Sequence, residues 1–122
     1  MASKEPQDDS FVTYDLKVEV ICPPGKKILC NAKNGDYFIL KDEMLYLPPD
    51  QGMSIYNISA ALPLLQAKQR KTHPNDWMST DDMVACPDPY CPSRLKITRC
   101  GESVWRHSDV SGFPPMQQQE KK

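Results

Sequence analysis

The chain has 122 residues, 39% of them apolar and 25% charged, with a formal net charge of -1. One hydrophobic core fits that length and a second does not, and such a core buries roughly two-thirds of the extended-chain surface. The near-neutral balance gives no basic field for nucleic acid. No run reaches the roughly 18 apolar residues of a membrane span.

The first segment, MASKEPQDDS, is polar and mixed in charge and lacks the apolar stretch of a secretory signal. The expectation is a cytoplasmic protein with reduced thiols, and five cysteines, an odd count, fit free thiols or metal ligands better than a disulfide framework. Residues 1–12 and 112–122 read as tails around a single domain over 13–111.

In chain order, YDLKVEVIC (Tyr14–Cys22) alternates apolar Leu16, Val18 and Val20 with Lys17 and Glu19, the pattern of a half-buried strand. PPGKK stops it. DYFILK and EMLYL, over 36–41 and 43–47, bracket a one- or two-residue polar turn and predict a hairpin, which Pro48 and Pro49 end. SIYNISAALPLLQAKQRK is the principal helix, with Ser54 as its cap and Ile55, Ile58, Leu62, Leu65 and Gln69 on its inward face. Pro63 falls inside it and should kink or divide it. Lys68, Arg70 and Lys71 at its end read as a solvated face complementing the helix dipole.

THPNDWMSTDD is a turn-rich connection, with its aspartates as turn and cap residues and Trp77 as an aromatic plug over the core. RLKITR and SVWRH then alternate on either side of Cys100-Gly101, which predicts a second hairpin turning at that dipeptide. About five short strands and one substantial helix make an α+β domain.

The chemistry lies in the cysteines. CPDPYC holds Cys86 and Cys91 at a Cys-x4-Cys spacing, the wide end of the zinc-knuckle range, with Pro87 and Pro89 stiffening the loop. A hairpin at Cys100-Gly101 would return His107 to the end where Cys91 departs, giving a zinc-ribbon-like layout with Cys86, Cys91 and His107 as ligands. The fourth ligand would come from Cys22, Cys30, His73, Asp109 or water. Sulfur and nitrogen together favour zinc. The competing reading makes Cys86 a small apolar residue ending a strand, Cys91 a loop residue and His107 a strand histidine. Lys26 and Lys27 beside Cys30 would lower its pKa and make it the most reactive thiol, unless it is a buried strand-edge cysteine. No phosphate loop, serine-nucleophile elbow or His-Glu-x-x-His helix occurs. Tyr46, Tyr56 and Trp105 lack the basic interleaving of a nucleic-acid platform.

The stretches ILCNAKNGDYFIL, LYLPPDQGMSIYNISAALPLLQAKQR and NDWMSTDDMVACPDPYC resemble a family of small, largely uncharacterised prokaryotic proteins. That family shows a cysteine before a Gly-Asp-x-Phe strand, a central helix, and a cysteine-bearing strand near the end. The resemblance spans about residues 15–100 and carries no established reaction. It implies that Cys30 and Cys86 occupy the family's two cysteine positions and meet in space. Cys91 and His107 belong to an extension that shorter relatives lack, and they would complete the site here.

The resulting expectation is a zinc-binding auxiliary subunit, not an enzyme on its own, that docks on a larger enzyme, with homo-oligomers an open alternative. Its rivals are a redox or transfer enzyme using Cys30 or Cys86 as a working thiol, and an iron–sulfur electron-transfer protein.

Overall fold

The computed structural model describes residues 8–116. It is an α+β domain whose five strands, all paired antiparallel, form one sheet. The strands are β1 (Ser10–Ile21), β2 (Tyr37–Lys41), β3 (Met44–Tyr46), β4 (Met83–Ala85) and β5 (Arg94–Arg106). Their order across the sheet is β3-β2-β1-β5-β4.

The β1 alternation works as its sequence implies. Leu16, Val18 and Val20 are fully buried, and opposite them in register stand Leu40 and Phe38 of β2 and Ile97 and Leu95 of β5. Residues directly across an antiparallel pair share a face, so this row forms one apolar surface. Helix α1 (Ile55–Lys68) covers it with Ala61 and Leu65. The β2–β3 hairpin closes through Asp42 and Glu43, both at positive φ (53° and 66°) between the Lys41–Met44 pair, which is the two-residue turn whose twist matches that of the strands.

Four expectations are corrected. First, there is no hairpin at Cys100-Gly101. β5 runs unbroken for 13 residues beside β1, and a bulge takes up Cys100, since Asp15 pairs with Gly101 and Leu16 with Arg99. The extra residue shifts the alternation of side chains, which makes one bulged strand resemble two short ones in sequence. A glycine suits this position because a Cβ at 101 would sit 3.0 Å from Asp15 Oδ2. The Asp15 carboxylate also accepts the Ser103 hydroxyl at 2.5 Å.

Second, the inward face of α1 is only in part the expected one: Leu65 and Gln69 are buried and Ile58 packs against the core, joined by Asn57, Ala61 and Lys68, whereas Ile55 and Leu62 are exposed. Small Ala61 lets the helix lie close to the sheet. Pro63 is accommodated within one continuous helix, at the loss of the bond its missing N–H would make to the Ser59 carbonyl. Third, Lys68 is only 5% exposed, with its ammonium donating to the Asp81 carbonyl. Burial, then the nearby Arg99 charge, lower its pKa. Arg99 closes the end of the helix instead, donating to the carbonyls of Lys68 and Arg70, both at 2.8 Å, while its guanidinium lies over the Tyr14 ring.

Fourth, Trp77 does not plug the core. It is 76% exposed on the single turn α2 (Trp77–Thr80), which Asp76 caps through Met78 N at 2.8 Å. A last turn, α3 (His107–Val110), follows β5. The chain pairs as strand from Ser10 onward, inside the segment read as the first tail. Residues 1–7 and 117–122 of the two tails lie outside the described residues. No helix among the described residues is long and apolar enough to cross a membrane.

Candidate metal centre

Strand pairing brings two distant loops to one end of the sheet. Ile21, the last residue of β1, pairs with Arg94, the first of β5, and Arg94 also pairs with Ala85, the last of β4. The loop leaving β1 and the loop joining β4 to β5 therefore emerge together. The first carries Cys30 and the second carries Cys86 and Cys91.

The β4–β5 loop is a tight knuckle. Asp88 accepts from Tyr90 N at 2.9 Å through its side chain and from Cys91 N at 3.0 Å through its carbonyl. This Asx-type turn, flanked by Pro87 and Pro89, folds the two cysteines back on each other. On the other loop, Asn31 takes a left-handed conformation (φ 64°) just after Cys30. Ala32 next to it is buried in the core, and Ile28 and Cys30 pack against that core, so the loop is pinned down.

The ligand atoms of Cys30, Cys86 and Cys91 all lie within 4.8 Å of one another, and three thiols so placed could hold a metal ion. Cys86 is 8% and Cys91 3% exposed, and Cys30 is half-buried. All five cysteines are free of disulfides. Three thiolates around one zinc at about 2.3 Å would stand about 3.8 Å apart in a tetrahedron, so the cluster needs little contraction. Cys30 also borders a groove of about 800 Å³ lined by Asn31, Asp36, Gln51, Ser54 and Tyr56.

Hydrogen bonding already favours a thiolate here. Burial alone would push the Cys91 thiol up, but the Ser93 hydroxyl at 3.1 Å and Leu29 N–H at 3.4 Å overcome it and bring the pKa down to about 6. Cys86 moves the opposite way. Burial raises its pKa, and its S–H serves the Cys91 sulfur. The lowered thiol is Cys91, and the groups that lower it are a hydroxyl and a backbone amide.

His107 is not brought to this cluster. With β5 continuous, it lies beyond the strand's far end, on the order of 40 Å of extended chain from Arg94. Its Nε2 pairs with the Phe113 carbonyl at 2.7 Å. The zinc-ribbon layout does not form. The other fourth-ligand candidates also stay apart, since no further Cys, His, Asp or Glu among the described residues joins the three sulfurs. Cys22 points its thiol to the Lys26 carbonyl at 3.6 Å, His73 accepts from Asn75 N at 3.0 Å, and Asp109 belongs to α3.

Two residues of the site were missed in the sequence: Ser93, buried with its hydroxyl on the Cys91 sulfur, and Asn57. Asn57 on the inner face of α1 is 1% exposed, and its Oδ1 accepts from Cys30 Sγ at 3.9 Å. Its signal was the Asn57–Ala61–Leu65 spacing, which puts an amide on the buried face of a helix. No protein-family model, curated protein or solved structure matches the chain.

Proposed function

We propose that the protein is a small zinc-binding module, with Cys30, Cys86 and Cys91 as three thiolate ligands, which serves as an interaction subunit of a larger enzyme. The observation that carries the reading is the convergence of three sulfurs from two loops 56 residues apart in sequence, at a buried end of the sheet. An ion there ties the β1–β2 loop to the β4–β5 knuckle and so fixes the end of the domain. Zinc suits thiolate ligands and adds no redox chemistry of its own.

The interaction role draws on the surface. β3 is an edge strand exposed along its whole length, where Met44, Leu45, Tyr46 and the following Leu47 present apolar side chains, and Leu45 lines a groove with exposed Leu62 of α1. Edge strands with apolar faces are usual sites of association. Of the two thiols of the working-thiol reading, Cys86 is buried where a substrate would have to reach it, which leaves half-buried Cys30 at the edge of the groove to carry that reading. An iron–sulfur cluster with four cysteine ligands would need one thiolate beyond these three.

Metal analysis of protein purified without chelators tests the reading. About one zinc per chain in a colourless protein, lost on replacing Cys86 or Cys91, supports it. A brown protein supports the cluster, and metal-free protein with a rapidly alkylated thiol supports the enzyme. For the partner, a Leu45→Glu, Tyr46→Glu variant with unchanged zinc content and melting should lose a protein that the wild type retains in its native host.

A further inference from the structure

Asn57 presents an unfinished hydrogen-bonding arrangement. Its side chain is almost wholly buried, yet Nδ2 has no partner, while Oδ1 accepts from the Cys30 thiol. A buried amide N–H without an acceptor is destabilising. Such a group on the core face of a helix invites the question of what it is there to meet.

Resting on the zinc reading, we propose that Asn57 is the outer hydrogen-bond donor of the metal centre and that its amide turns over when an ion binds. Ligation takes the proton from Cys30, so the S–H that Oδ1 now accepts is gone. The proton leaves to solvent, and the sulfur is bonded to the metal. Oδ1 and the thiolate would then face each other as two acceptors. Half a turn about the Cβ–Cγ bond moves Nδ2 into the place of Oδ1. That converts the clash into an N–H···S bond and gives the orphaned donor its acceptor. Three thiolates on one divalent ion leave a net negative charge in a buried place, which such a donor stabilises. α1 is thereby coupled to the state of the two loops: the helix carries the amide, and the loops carry the sulfurs.

The test uses the full chain loaded with NMR-active cadmium in place of zinc, with nitrogen labelling. In the wild type, the Asn57 side-chain amide protons should shift and exchange slowly on loading, and one should show scalar coupling to cadmium through the Cys30 sulfur. Asn57→Leu, which keeps the size and removes the donor, should weaken zinc binding roughly 10–100-fold. Cadmium bound with the Asn57 amide signals unmoved and uncoupled overturns the inference while leaving the zinc reading intact. Failure of the wild type to bind cadmium or zinc at all overturns both. A change of cobalt coordination number in Asn57→Leu, read from the intensity of the ligand-field bands, overturns it in another way, by making Asn57 a direct ligand. The wild-type coupling measurement stands even if the leucine variant folds poorly.

Discussion

Replacing Cys91 by serine removes one of the three sulfurs while barely changing the shape of the site. Without metal, and near pH 6 where the depressed Cys91 pKa adds little, the loss is small. The serine hydroxyl can take over the bonds from Leu29 N and Ser93, so the cost is the poorer burial of oxygen in place of sulfur, about 1 kcal/mol. With metal, the loss is larger. An ion that binds only the folded chain stabilises it by about 2.7 kcal/mol when free ion is 100 times the dissociation constant. For 122 residues, each kcal/mol moves the melting temperature by roughly 4 °C. Zinc should therefore raise the wild-type melt by about 10 °C and the Cys91→Ser melt by only a small part of that. The metal-free proteins should differ by roughly 4 °C. Scanning calorimetry on all four samples, with zinc content measured in each, provides the comparison. A zinc-loaded wild type whose melt is unmoved by complete removal of the ion would refute the coupling of these sulfurs to folding.

Three further outcomes follow from the geometry. In metal-free protein the Cys91 pKa of about 6 lies below its ordinary value of 9, so its contribution to stability is complete above pH 9 and is lost as pH falls through 6; a thiolate absorbance band titrating near pH 6 and missing from Cys91→Ser checks it. Val18→Ala, at a fully buried position in the centre of β1, should cost about 2 kcal/mol in urea unfolding without changing zinc stoichiometry. Arg99→Lys keeps the charge but loses the fork that spans the Lys68 and Arg70 carbonyls and the Thr72 hydroxyl, and should cost about 1–3 kcal/mol; a cost near zero would show that the helix end does not depend on it.

The parts legible in the sequence were those fixed by local rules. The β1 alternation and the polar Asp42-Glu43 turn are dictated within a few residues, and both form where their patterns fall. Cys86 and Cys91 were legible as a pair for the same reason, because prolines and Asp88 shape the knuckle between them. Where partners lay far along the chain, local reading failed. Cys100-Gly101 has the composition of a turn, yet the partner that decides its shape is Asp15, far back in the chain, against which it forms a bulge. The mistaken hairpin carried His107 with it. The inward face of α1 was misjudged in part, because Ile55 and Leu62 are the greasier residues, whereas close packing chose Ala61, and Cys30 lies on the side of Asn57. Cys30 was legible only as one of several fourth-ligand candidates, since nothing local links it to residue 86.

The bulge has a consequence for how the molecule opens. β2 flanks β1 only from Leu16 to Glu19, so before Asp15 the partners β1 and β5 continue as a two-stranded arm, held to α1 by the bond from Tyr14 N to the Gln69 carbonyl at 2.7 Å. Phe11 stacked on Trp105 is the main apolar contact at its outer end. Such an arm has its own, lower free energy of opening. Amide protons from Phe11 to Thr13 and from Ser103 to Trp105 should trade with deuterium together and ahead of those at Val18 and Ile97, so that thermal fraying begins at the end of the sheet remote from the sulfurs and stops at Asp15.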